Sequence, residues 1–421
     1  MERLQGRIRD YAWGSRVAIP GLFGLPRADK RVAEVWFGAH PDDPARVIND
    51  PHGMLFDLQE LYPESAGVLP LHVRQAEKTE ETLRDFIAAN PAEALGELVA
   101  QRQGNELPYL LKLIAPREPL SLQVHPTLKQ AEEGFAAEEA AGIPRTSPER
   151  NYKDRNHKPE LAYALSHFEA LAGFRTVRRI LEVIGGLDTP LTDSLVRRLN
   201  SDGVRGAFRF LLSEGTRPDA EAVREVVEAC KARDPEESPS ARADHTVVIL
   251  GKKHPDNPGV VASLFLNPVT LYPGEALFIP CGTVHAYLSG TAVEIMASSD
   301  NVLRAGLTQK HVDVSELLKI VRAEAAPPVR IAPEKVSRAV STFYAPVDDF
   351  ELSVIRLRDA TQWVRVRTLG PRTVICLEGA AQLHTKDDEL HINAGQAVFV
   401  PASEGRLTMR GFGQLVLAGV P

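Results

Sequence analysis

Tyr272-Pro-Gly-Glu-Ala-Leu-Phe-Ile-Pro-Cys-Gly-Thr-Val-His285 is the stretch that decides the fold. Pro273-Gly274 is a turn signal, because proline presets φ at one central position and glycine supplies φ > 0 at the next. Ala276 to Ile279 reads as a strand. Pro280 and Gly282 then bend the chain, so that His285 re-enters on a new strand pointing inward. The stretch has an echo in Asn393-Ala-Gly-Gln-Ala-Val-Phe-Val-Pro401, with the same glycine, apolar strand and closing proline. Two related β-barrels are therefore expected. After Pro401 the chain continues Ala-Ser-Glu-Gly-Arg, with no histidine, so only the first copy can carry a metal at this turn.

Outward from the echo the texture is strand and turn: Phe350 to Leu357, Trp363 to Arg367, Thr373 to Leu377, Ala397 to Val400 and Gln414 to Leu417. Evenly spaced short strands suggest a compact β-sandwich or barrel. Near the N-terminus, Glu34 to Gly38 and Pro108 to Ile114 are also strand-like, and one helix is predicted over Asn90 to Gln103, with Asn90 as cap and Pro91 at its first position. Between these regions the period changes. Val177, Ile180, Leu181 and Ile184 fall at i, i+3, i+4, i+7, and Val204, Phe208, Leu211, Leu212 and then Val223, Val226, Val227, Cys230 repeat the stripe. Three such faces predict a small helical subdomain with the stripes as its core. It ends in the polar linker Asp234 to Ser240, and strand texture is expected again after residue 245, with Val260 to Leu266 as a buried strand. Val312 to Arg322 reads as a helix and Ala325 to Pro328 as a second linker.

The fold class that follows is mainly β with an inserted α subdomain. The expected division is 1–175 with 244–324 as a barrel domain, 176–243 as the helical insertion and 325–421 as a C-terminal β domain. A chain of 421 residues suits two or three domains. With 49 basic and 56 acidic residues it carries a net charge of −7. A mildly acidic balance argues against a nucleic-acid binder, which needs a basic face, though a few local cations can still hold a small anion. No apolar run is long enough for a membrane helix, and the N-terminal sequence has no signal-peptide pattern, so a cytoplasmic protein is expected. Cys230, Cys281 and Cys376 are far apart and are read as free thiols of a reducing compartment.

The partner of the His285 turn is Pro119-Leu-Ser-Leu-Gln-Val-His-Pro126. On a strand, side chains at i and i+2 share a face, so Gln123 and His125 point the same way and Leu122 and Val124 the other. A third segment, Asn156-His-Lys-Pro-Glu160, precedes the apolar run Leu161 to Leu165. Gln, His, Glu and His would supply two nitrogens and two oxygens. Four such ligands suit Zn²⁺, and mixed N/O sets also accept Mn²⁺, Co²⁺ or Fe²⁺. Other histidines, among them His40, His52, His72, His245, His254, His384 and His391, are read as structural, and Cys281 as packed at the bend. Lys112, in an apolar strand, is either an edge residue or inward-facing and paired. Arg304 stands four residues after Asp300 and could pair with it.

Gly274 to His285 resembles the second cupin motif, with Ser289 where an asparagine is usual. Taken with Tyr11-Ala-Trp-Gly14, Pro119 to Pro126, Asn156 to Glu160, Ile279 to Ala286 and Ser299 to Thr308, in that order, the chain resembles type I mannose-6-phosphate isomerases (phosphomannose isomerases). The resemblance implies a cupin-type β-barrel catalytic domain, a helical insertion and a C-terminal degenerate cupin-like β domain. It implies one Zn²⁺ held by Gln123, His125, Glu160 and His285. Arg304 takes the place of the catalytic arginine, with Lys158, Asp300 and Glu294 as further catalytic candidates. Lys112, Ser121, Trp13 and His157 are the substrate-side candidates; the residues leave His157 open between supporting the site and facing solvent. The implied reaction is reversible isomerisation of mannose 6-phosphate and fructose 6-phosphate by proton transfer through a cis-enediol. The implied partner is a small phosphosugar, with no nucleic acid and no membrane, and the chain is expected to be a monomer. A non-catalytic, metal-dependent sugar-binding cupin is the alternative. One departure is the long insertion between His125 and Glu160, read as a helix from Leu128 to Ala141 and a Pro/Arg-rich loop.

Overall fold

The computed structural model describes residues 1–64 and 81–421; His72 lies outside them. Among the described residues the strands form three sheets. A seven-stranded sheet runs Val329–Ile331, Ala276–Ile279, Glu160–Ala164, Ala292–Ala297, Tyr109–Ile114, Glu34–Phe37, Arg7–Arg9. A five-stranded sheet runs Leu303–Gly306, Leu122–Val124, His285–Ser289, Phe168–Phe174, Leu266–Leu271. The third has nine strands. Most come from the C-terminal part, but Glu2–Gln5 and Arg46–Ile48 join its edge beside Gln396–Val400. The first 48 residues are thus shared between two sheets.

The layers follow from the two-residue period of a strand. In Tyr109–Ile114, the odd-numbered Tyr109, Leu111 and Leu113 pack against Phe343, Leu352 and Val416 of the nine-stranded sheet. Ile114 turns the other way, against Phe168, Ala170 and Tyr287 of the five-stranded sheet. The outer face of that sheet, Leu122, Val124, Ala286, Leu303 and Ala305, packs against the helices. The order is therefore helices, five-stranded sheet, seven-stranded sheet, nine-stranded sheet. Strands covered on both faces have no polar side to show, which is why Tyr109–Ile114 reads as an almost unbroken apolar run.

The helical insertion is larger than the sequence suggests. Val177–Ile184, Pro190–Leu212 and Ala220–Ala232 are helices capped by Thr176, Thr189 and Asp219, the second kinked at Gly203, whose φ is 64°. A further helix, Ala241–Lys253, replaces the strand texture expected after 245 and straddles the expected boundary at 243/244. Its Val247-Val-Ile-Leu250 run is β-prone, but Ala243, Val247 and Leu250 form one buried stripe against Val223 and Val226, and packing overrides propensity. Val260 to Leu266 is likewise not a strand. Gly259–Ala262 and Ser263–Phe265 are helical turns, and the strand starts at Leu266. The helix expected over Asn90 to Gln103 is two, Pro91–Leu95 and Glu97–Arg102, broken where Gly96 takes φ 82°. Leu128–Ala140 and Val314–Ile320 are helices close to the expected bounds.

In the C-terminal part, the strands expected at Phe350 to Leu357 and Trp363 to Arg367 are one strand, Glu351–Val366, with a register shift between Asp359 and Val364. The echo persists in the backbone: Gly274 and Gly395 both take positive φ, 98° and 82°, before Ala276–Ile279 and Gln396–Val400. Behind the second copy Val374, Val398, Leu407, Met409 and Leu415 make an apolar core. All three cysteines are free. Among the described residues no helix is long and apolar enough to cross a membrane.

Candidate metal centre

The alternation that sends Leu122, Val124, Ala286, Leu303 and Ala305 outward to the helices sends Gln123, His285 and Arg304 inward, between the two sheets. Gln123 is the direct cross-strand partner of both His285 and Arg304, and directly opposed residues of an antiparallel pair share a face. His125 follows two residues after Gln123. From the facing sheet, Leu161 and Tyr163 turn toward the C-terminal core and leave Glu160 pointing into the same space.

There His125, Glu160 and His285 bring one ligand atom each within 4.8 Å of one another, all three buried. His125 Nε2 is 3.1 Å from Glu160 Oε1, and His285 Nε2 is 3.4 Å from Glu160 Oε2. The other ring nitrogens are occupied: His125 Nδ1 lies 2.8 Å from the Asn301 carbonyl and His285 Nδ1 3.1 Å from the Thr283 carbonyl. A nitrogen facing a carbonyl must carry the proton, which leaves each Nε2 lone pair aimed at the common point. Among the described residues His125 Nε2 is buried with no hydrogen-bond partner. An orphaned buried acceptor is costly unless something fills it, and a cation fits this donor set. Gln123 donates its amide N–H to Ser121 Oγ at 3.4 Å, and its carbonyl oxygen has no partner among the described residues. The turn before His285 is tight. Gly282, at φ 82°, donates its N–H to the His125 carbonyl at 2.8 Å, and a Cβ there would meet Arg322 Cγ at 2.8 Å.

Burial and the neighbouring Lys158 ammonium push His125 down to about 4, so its imidazole is neutral at ordinary pH. Burial alone would raise Glu160; Lys158 and His125 outweigh it and hold the carboxylate well below the usual range. Lys158 Nζ sits 2.5 Å from Glu160 Oε1, and Tyr287 donates its hydroxyl to Glu160 Oε2 at 3.2 Å. Deeper in, Lys112 is inward-facing and paired, 3.2 Å from Glu294 and 3.7 Å from Glu34, with the Trp36 ring 5.1 Å away. Glu34, Trp36 and Tyr287 escaped the sequence reading. The signal for Tyr287 was its i+2 relation to His285.

The remaining candidates stand outside this ligand cluster. Arg304 has no ion pair with Asp300 or with any other described carboxylate, and burial lowers its pKa. Asp300 instead faces His40, 3.5 Å away, and His40, Asp42 and Asp300 form a second group of ligand-type side chains. Burial would raise Asp300, but His40 and Lys153 hold it below the usual range, whereas burial raises Glu294 despite Lys112. His157 pairs with Asp349 at 2.9 Å. Trp13 packs with Leu120 against the cluster of Ile114 and Tyr287. The inserted loop closes onto the site. Asn301 Oδ1 accepts the Lys153 and Asp154 N–H groups, and Arg145 reaches Asp42 at 2.9 Å. Beyond Arg304 the chain lines a cavity of 1320 Å³ with Gly306, Thr308 and Lys310.

Comparison with known proteins adds to this geometry. A family profile described as phosphomannose isomerase type I, catalytic domain, matches residues 1–68 and 70–177. A second, mannose-6-phosphate isomerase, cupin domain, matches 339–419. The mannose-6-phosphate isomerase of Escherichia coli K12 is 35% identical over 430 aligned positions, covering 99% of this chain and 98% of that protein. Mannose-6-phosphate isomerase 1 of Arabidopsis thaliana is 29% identical, covering 96% and 89%. The crystal structure of the Salmonella typhimurium mannose-6-phosphate isomerase bound to its substrate, f6p, and zinc is similar with a TM-score of 0.82 and 35% identity, covering 100% of this chain and 99% of that one.

Proposed function

The chain belongs to the type I phosphomannose isomerase family, and on that premise we propose that Gln123, His125, Glu160 and His285 hold the Zn²⁺ of a mannose-6-phosphate isomerase beside Arg304. The reaction is the reversible conversion of mannose 6-phosphate and fructose 6-phosphate, with zinc as cofactor. The observation that carries the residue assignment is the buried Nε2 of His125, partnerless among the described residues and aimed at Glu160 and His285.

Zinc, when bound, supplies Lewis acidity toward the sugar oxygens and stabilises developing enediolate charge. The chain's own groups do the rest. Arg304, permanently charged and with no ion pair among the described residues, adds positive potential where negative charge develops. Against burial, Asp300 is held ionised by His40 and Lys153, as a general base requires, while Glu294 serves as the ion-pair partner of Lys112. Lys112 and Lys158 are neutralised internally by Glu34, Glu294 and Glu160. Lys310, lowered by burial and by Arg304, and the nearby Lys153 have no ion pair among the described residues and are the candidates for the substrate phosphate. Three free cysteines suit a reducing compartment, and the enzyme works there as a cytoplasmic monomer.

A coupled isomerase assay with mannose 6-phosphate, run on protein of measured zinc content, tests the reading. Product formation that disappears with chelation and returns with Zn²⁺ is expected. Zinc-loaded protein that makes no fructose 6-phosphate overturns it.

A further inference from the structure

The C-terminal β domain reaches the residue just before Lys158 and Glu160: Asp349 Oδ2 lies 2.9 Å from His157 Nε2, while Arg356 donates to the Tyr163 hydroxyl further along the same strand. Asp349 is 6% exposed and adjoins Phe350, which is fully buried in the core shared by the seven- and nine-stranded sheets. The carboxylate is thus rigidly placed. On the other side of the contact, His157 is followed directly by Lys158 and, two residues later, by Glu160. The backbone before it is held from the catalytic side, where the Asn156 carbonyl accepts Asn301 Nδ2 at 2.8 Å and Ser299 Oγ at 3.2 Å. After it, the Pro159 carbonyl accepts the Ala297 N–H at 3.2 Å. Between these two anchors Lys158 turns to Glu160, and the His157 ring is held by Asp349 from the C-terminal domain and by Cys281 from the bend before His285.

We propose that Asp349 is a positioning residue: acting through His157, the C-terminal β domain sets the angle at which Lys158 and Glu160 enter the metal centre. This gives the C-terminal domain, whose own turn at Pro401 lacks the ligand histidine, a share in catalysis without touching substrate. Groups that orient a ligand from outside its immediate shell cost about 10–100-fold in activity or metal affinity when lost. The inference rests on the functional reading above, and wild-type activity tests that reading separately.

The experiment compares Asp349→Asn, Asp349→Glu, His157→Ala and the double variant Asp349→Asn/His157→Ala. Asp349→Asn should lower kcat about 10–100-fold with KM for mannose 6-phosphate within about threefold. Asp349→Glu, which keeps the carboxylate, should recover most of the loss. The double variant should be no slower than His157→Ala alone, because both remove the same link. In zinc-free protein, hydrogen exchange at the amides of 157–161 should quicken in Asp349→Asn while that of Tyr109–Ile114 does not. Wild-type kcat in Asp349→Asn, additive losses in the double variant, or a loss confined to KM overturns the inference. Should Asp349→Asn fail to fold, Asp349→Glu and the His157→Ala exchange pattern decide it: full loss in the former, or unchanged exchange in the latter, overturns it.

Discussion

Glu294 meets Lys112 directly across two paired strands, carboxylate to ammonium at 3.2 Å, with both side chains buried between the sheets. Glu34 is the second carboxylate on the same ammonium, at 3.7 Å. Removing the lysine strands two buried acids. Lys112→Met is expected to cost about 3–5 kcal/mol, the usual penalty for breaking a buried pair from one side. Urea unfolding measures it. The double variant Lys112→Met/Glu294→Leu should recover a large part, and a destabilisation of Lys112→Met below about 1 kcal/mol would show the pair to be solvated.

Arg304→Ala should reduce kcat by about 10²–10³-fold, the typical effect of deleting one preorganised charge donor. Its zinc content should stay near that of wild type, because Arg304 neighbours Gln123 across the strand without contacting His125 or His285. Steady-state kinetics with metal analysis on the same sample separates the two. Loss of zinc in this variant would make Arg304 a structural residue.

His285→Ala and Glu160→Gln should each lose zinc as well as activity, since every ligand removed leaves an incomplete set for a four-coordinate ion. Chelation of wild type should mimic them, and only wild type should be rescued by added Zn²⁺.

The His157–Asp349 link has a pH signature. Burial would lower His157, but the Asp349 carboxylate and Cys281 raise it to about 9, against an unfolded value of about 6.5. A histidine raised on folding contributes stability that is fully present below about pH 6.5 and is lost as pH rises through about 9. The Tm of wild type should therefore fall toward that of Asp349→Asn between these values. A constant Tm difference across the window would contradict the pairing.

Thiol reactivity should divide the cysteines. Burial pushes both Cys230 and Cys376 up to about 12, and neither is accessible, whereas Cys281 is half-buried on the bend before His285. Alkylation of native protein followed by mass spectrometry should label Cys281 first, the others reacting only on unfolding.

Some of this was legible in the residues. The proline and glycine of the 272–285 stretch produce the turn they signal, and the two-residue period correctly put Gln123 and His125 on one face and Leu122 and Val124 on the other. The helical stripes of 177–230 are core. The fourth long helix of the insertion was not legible, because Val247-Val-Ile-Leu250 is locally as good a strand as a helix and only its fit against Val223 and Val226 decides. Arg304 sits at a spacing from Asp300 that suits an ion pair, yet it lies on a strand whose geometry sends the two apart, Asp300 toward His40 and Arg304 toward Gln123. Lys112 was ambiguous for the same reason: an apolar run on both sides of a lysine does not say whether a carboxylate waits on the next strand.

The amino-acid sequence by itself determined the local shapes here: where strands bend, which side chains alternate, which ligand types are present. Only the tertiary structure decided that residues near 123, 160, 285 and 304 share one space, because that depends on the order of strands in two facing sheets. Such order is set by long-range backbone pairing and by burial of both faces, and neither leaves a mark in any short window of the chain.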